Sequence, residues 1–156
     1  MALTREEIQD LYSRIPVLRP PPHIFSLSNA EIGAERLFHM THAVNGVARQ
    51  VGEERLKILG MHKLGDDFVT ISGDSGASTV VHEAVHYMGV RSEPATYAIT
   101  RALMARARLN IGIRRRRVKY EFVPVDQLAR DEFLTSMHLS NPTGGQVELV
   151  HLVYQP

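Results

Sequence analysis

The stretch Val80-Val81-His82-Glu83-Ala84-Val85-His86-Tyr87-Met88-Gly89 constrains the fold more than any other part of this chain. Wound as a helix at about 100° per residue, it stacks His82 and His86 one above the other with Glu83 beside them. Val80, Val81, Ala84, Val85 and Met88 then gather on the roughly opposite face. The segment is predicted to be a helix that packs with one side and presents two imidazoles and a carboxylate with the other. Ser78 or Thr79 is the predicted cap, and Gly89 the stop.

The same residues spell H-E-x-x-H, a spacing that lets two imidazoles reach one cation. With 8 histidines in 156 residues, chance produces the pattern only about 0.03 times. Neutral imidazole suits zinc, and a catalytic zinc site takes three protein ligands and leaves a position for water, whose pKa falls toward ~7. Glu83 is then the expected general base, taking that water's proton and later delivering it to the leaving amine. The chain has no cysteine, so a metal site must come from His, Asp and Glu, and disulfide frameworks, zinc ribbons and cysteine-ligated knuckles are excluded.

Around this segment the periodicity changes several times. Thr4 with Glu7 forms a capping box ahead of Ile8, Leu11, Tyr12 and Ile15, which recur at helical spacing until Pro16 and Pro20 to Pro22. Ser28 with Glu31 repeats the signal and predicts a helix with Ile32, Leu37, Val44 and Val47 on its core face, to about Gly52. Leu56 and Ile58, then Phe68, Val69 and Ile71, read as two short strands, a candidate hairpin, followed by the turn Gly73-Asp74-Ser75-Gly76. Ser92 and Pro94 open a helix to about Leu109, giving two consecutive antiparallel helices. Downstream, 117–125 alternates as a strand, Asp126 caps a helix to about Met137, and 147–154 alternates again. The elements read as α+β, and the length, without linker or repeat, as one domain over 1–156.

The H-E-x-x-H helix resembles the zincin metallopeptidases. Within that group, Glu93 followed by Ala95, Tyr97, Ala98, Leu103 and Met104 resembles the second helix of gluzincins, and the chain is similar in this to small bacterial and phage peptidases of the ImmA/IrrE kind. The resemblance spans roughly 68–104. It implies a single zincin-like domain with a small mixed sheet, an active-site helix and an antiparallel second helix. It further implies Zn2+ held by His82, His86 and Glu93, Glu83 as catalytic base, and the strand around Phe68 to Ser72 lying along a peptide or protein substrate. Only six residues separate His86 from Glu93, fewer than gluzincins usually have, so Glu93 competes with a reading as a first-turn acid favoured by the helix dipole. Ser92 stands where metzincins place a third histidine, and serine is a poor zinc ligand. His62, His138, His151 and Asp74 are the other candidates for the third position.

Glu93, Thr96, Tyr97 and Thr100 share one face of the second helix and would give the site a polar wall. There Tyr97 could donate to an oxyanion or simply pack with its hydroxyl at the edge of the core. His23, His39 and His42 are assigned no role. A net charge of +1 gives no general case for nucleic acid, and Arg114, Arg115, Arg116 and Arg117 are the one basic block, read first as a solvated strand entry. No apolar run approaches the ~20 residues of a membrane span, and the start of the chain lacks a signal-peptide core, so a cytoplasmic setting is expected. The function expected is peptide-bond hydrolysis by a zinc metallopeptidase; the alternatives are a small metal-dependent ribonuclease and a catalytically silent binding or structural module.

Overall fold

The computed structural model describes residues 3–27, 46–51, 59–62, 65–124, 134–135 and 146–154. Its chain divides into two compact units, one of Met1–Ser28, Leu59–Arg114 and Leu152–Pro156, the other of Asn29–Ile58 and Arg115–His151. Together they hold three helices and two sheets among the described residues, an α+β composition.

In the first unit, α1 (Arg5–Arg14) begins where the sequence predicts: Thr4 accepts a hydrogen bond from the Glu7 amide, and the Glu7 carboxylate accepts one from the Thr4 amide. Its apolar stripe enters the core, with Leu11 and the following Ile15 and Leu18 buried and Ile8 and Tyr12 packed at the edge. The rest of that core comes from Ile71, from Val80, Val81, Ala84 and Val85 on α2 (Ala77–Tyr87), and from Met104 on α3 (Glu93–Arg106). Valine and threonine are modest helix formers, and α2 is capped by Gly76 with no side-chain bond rather than by Ser78 or Thr79. Its helicity therefore depends on tertiary burial, worth roughly 1.5–3 kcal/mol for each fully buried valine.

The sheet of this unit has the order β1-β4-β3. β1 (His23–Leu27) runs parallel to β4 (Phe68–Ser72), and β3 (Gly60–Met61) runs antiparallel to it, Gly60 opposite Ile71. The antiparallel partner of Phe68–Ser72 is Gly60–Met61, where the sequence predicted a break, and the predicted first strand at Leu56 and Ile58 lies outside the described residues. β4 is thus the central strand, which corrects the expectation that Phe68 to Ser72 lies along a substrate: its edges are taken by β1 and, at Thr70 and Ile71, by β3. A knot of buried serines ties this strand pair to the start of α2. The Ser72 amide donates to the Leu59 carbonyl at 2.8 Å and Ser75 Oγ donates to the same carbonyl, while Ser72 and Ser75 hydroxyls stand 3.3 Å apart.

The second unit is built on a sheet of order β6-β2-β5-β7. β2 (Gly46–Val51) pairs antiparallel with β5 (Ile113–Pro124) and with β6 (Leu134–Thr135). β7 (Gln146–Tyr154) adds the fourth strand, its last three residues belonging to the first unit. Two helix predictions need correction. Val47 stands opposite Val123 in a strand, not on a helix running to Gly52, and Leu134 opposite Arg49 in another, not on a helix running to Met137. In both places the pairing available from β5 and β2 overrides local periodicity. The remainder of both predicted helices lies outside the described residues. Val118 and Tyr120 are buried, and Tyr120 Oη is 2.8 Å from His151 Nε2. Arg114, Arg115 and Arg117 are exposed within β5, which starts four residues before the predicted Arg117.

No helix among the described residues is long and apolar enough to cross a membrane.

Candidate metal centre

α2 ends in a Schellman turn. Gly89, at φ 106°, donates its amide to the His86 carbonyl at 2.9 Å, and Val90 donates to Val85 at 3.4 Å. That turn matters to the site, because it carries the Val90 carbonyl to 2.7 Å from His86 Nδ1. A carbonyl only accepts, so His86 Nδ1 carries a proton, and in the neutral ring the lone pair is then on Nε2. Two residues on, Ser92 caps α3, its hydroxyl accepting from the Ala95 amide, and Glu93 takes the first helical position. An acid is favoured there by the helix dipole, yet this carboxylate also turns back over α2.

The result is a close group of donor atoms, in which Glu93 faces one imidazole with each of its carboxylate oxygens. His82 Nε2 and His86 Nε2 are 3.1 Å apart, His86 Nε2 is 3.1 Å from Glu93 Oε1, and His82 Nε2 is 3.2 Å from Glu93 Oε2. Donors on a tetrahedral ion with bonds of ~2.0–2.2 Å are separated by roughly 3.3 Å, so these distances fit such an ion. Two imidazole nitrogens and a carboxylate turned toward one another also repel unless a cation or proton lies among them. His82, His86 and Glu93 thus form a group that could hold a metal ion.

The electrostatics agree. Burial disfavours charge on His86, but the hydrogen bond to Glu93, the Glu83 charge, the Val90 carbonyl and the Glu93 charge outweigh it and raise its pKa above the usual value. Burial alone would raise the Glu93 pKa, and the contacts with His82 and His86 instead hold it well below the carboxylate range.

Neither polar nor apolar face of α2 is left in the open. Val80, Val81, Ala84 and Val85 are at most 1% exposed, while His82 and Glu83 are only 6% and 5% exposed. Met88, expected on the packed face, is 46% exposed because the helix stops at Tyr87 and the C-cap residue projects past the core. Glu83 sits under β3, where a Cβ at Gly60 would come within 2.7 Å of its Cγ and Oε1. The ring of His82 is covered by Tyr97 at 4.8 Å between centroids and by Tyr154 at 5.5 Å, and the two tyrosine rings lie 4.8 Å apart at a tilt of 33°.

Tyr97 is half-buried with its ring against His82. Burial, then the charges of Glu93 and Glu83, push its pKa to about 12, so its hydroxyl is a donor at ordinary pH. Thr96 and Thr100 form no open wall: both are fully buried, and Thr96 Oγ1 donates to the Ser92 carbonyl at 2.8 Å, 3.4 Å from His86 Nδ1. Of the other candidates for the third position, His62 Nε2 lies 3.2 Å from the Asp66 carbonyl with its ring against Tyr87, and His151 pairs with Tyr120. Asp74 is exposed in the turn before α2, and His138 lies outside the described residues.

Two participants carry no sequence signal. Tyr154, whose hydroxyl is 2.8 Å from His82 Nδ1, is separated from it by 72 positions and read only as a strand residue. Gly60 read only as a break between strands. No protein-family model, curated protein or solved structure matches the chain.

Proposed function

We propose that the chain is a zinc-dependent peptidase in which His82, His86 and Glu93 hold the ion and Glu83 is the general base. The observation that carries this reading is the donor group, set on the same helical turn as a second, buried carboxylate that takes no part in it. A bound zinc would supply Lewis acidity, polarising a carbonyl and making water acidic enough to lose a proton near neutrality. Glu83 receives the proton of the attacking water and hands it to the departing amine, the task of a carboxylate held beside the reacting atoms. Tyr97, protonated and pressed against His82, donates to the oxygen on which negative charge develops. β3 borders Glu83 through Gly60, which makes it the strand for a peptide to lie along.

The test compares the wild-type protein with Glu83→Gln, both assayed for zinc content and for cleavage of casein and a mixed peptide library. Expected are about one zinc per chain in both proteins and hydrolysis by the wild type only. Full activity in the variant would remove Glu83 from the mechanism. Zinc without cleavage in the wild type would make the chain a metal-binding module, and cleavage of RNA but not casein would make it a ribonuclease.

A further inference from the structure

Both donor histidines are held from behind. His86 Nδ1 is anchored by the Val90 carbonyl, a partner that comes with the Gly89 turn and so with the helix itself. The partner of His82 comes from far along the chain: its Nδ1 meets a side chain from β7, the Tyr154 hydroxyl at 2.8 Å. The Tyr154 ring stands nearly perpendicular to the imidazole, at 82°, and is itself braced by the tilted ring of Tyr97.

We infer that Tyr154 is a positioning residue for the metal site: its hydroxyl accepts the His82 Nδ1 proton and thereby fixes the ring and directs the Nε2 lone pair at the ion. This rests on the metal site proposed above. A neutral imidazole has one N–H, so a histidine that ligates through Nε2 must carry its proton on Nδ1, and that buried proton needs an acceptor. The phenol oxygen is the acceptor in reach, and its own proton remains available for a further donation. An imidazole without such a partner can rotate or adopt the other tautomer, in which Nε2–H faces the ion. Outer partners of this kind typically change metal affinity by about 10–100-fold.

Tyr154→Phe removes one oxygen and keeps the ring that packs on Tyr97. Zinc affinity of the full chain, measured by competition with a chromophoric chelator, should fall about 10–100-fold. The nitrogen-15 spectrum of the zinc-loaded wild type should show a slowly exchanging His82 Nδ1 proton, and that protection should be gone in the variant. Equal zinc affinity in the two proteins, with the protected proton unchanged, overturns the role of Tyr154 while leaving the metal site intact. A wild type that binds no zinc overturns the metal site and this inference with it. Should the phenylalanine variant fail to fold, the wild-type spectrum decides: a protected His82 Nδ1 proton supports the inference, and a rapidly exchanging one defeats it.

Discussion

Gly60 and Glu83 are packed so closely that a methyl group on the glycine would meet the glutamate's Cγ and Oε1 at 2.7 Å. The glycine thus keeps free the space in which the carboxylate lies. Because the obstructed atoms are the far end of a flexible side chain, Gly60→Ala should displace the carboxylate at little expense to the fold. On the mechanism proposed above the displacement takes the base out of reach of its proton, and misplacement by about 1 Å can slow a reaction about 100-fold. Expected is a loss of hydrolysis of that order with zinc affinity within about threefold of wild type. Unchanged hydrolysis would show that Glu83 does not act from this position.

Glu93 meets His86 through Oε1 and His82 through Oε2, and its side chain is 59% exposed. Its removal should therefore be felt by the metal far more than by the fold. Glu93→Ala is expected to lose more zinc affinity than the roughly 10–100-fold typical of an outer hydrogen-bond partner. The metal-free variant should melt only slightly below the wild type, because an ion pair this exposed contributes little. Isothermal titration and a thermal scan check both halves; a variant that binds zinc as tightly as the wild type would return Glu93 to the role of a helix-end acid.

Protonation of the site gives a pH dependence with a definite sign. The His86 pKa is raised above 6.5 on folding, so its contribution to stability is complete below 6.5 and disappears as pH rises through the higher folded value. The Glu93 pKa is lowered from 4.5, so its contribution is complete above 4.5 and disappears as pH falls through the depressed folded value. Metal-free protein should therefore lose melting temperature above pH 6.5 relative to His86→Gln, in which the titration is absent. Zinc competes with the same proton, so its affinity should climb by up to about tenfold per pH unit until His86 is neutral. Calorimetry with and without zinc across this range checks it, and a flat zinc affinity would contradict it.

Gly89 links backbone conformation to the site. At φ 106° any side chain is strained by about 1–2 kcal/mol. Gly89→Ala should cost about that much stability, read from the denaturation midpoint. It should also weaken zinc binding, because the same turn carries the Val90 carbonyl to His86. A destabilised protein with undiminished zinc affinity would show that His86 is oriented without this turn.

Much of the helical framework was legible because its signals are local. The capping box at Thr4, the stop at Gly89 and the cap at Ser92 each depend on residues within a few positions, and the structure has all three. The failures were of another kind. Val47 and Leu134 carry helical periodicity in a region where strand pairing with distant residues decides the backbone. Met88 obeyed the helical wheel but lay past the end of the helix, where the wheel no longer predicts burial.

The same division runs through the site. His82, Glu83 and His86 were determined by sequence alone, since a single helical turn sets their spacing whatever surrounds it. Glu93 could be suggested from sequence, but its place beside two imidazoles required the Gly89 turn and the packing of α3 on α2. Gly60 and Tyr154 could only come from the tertiary structure. Their contacts join β3 and β7 to α2 across long stretches of chain, and no local preference encodes which distant residue will fill the space beside a buried carboxylate or behind a buried imidazole.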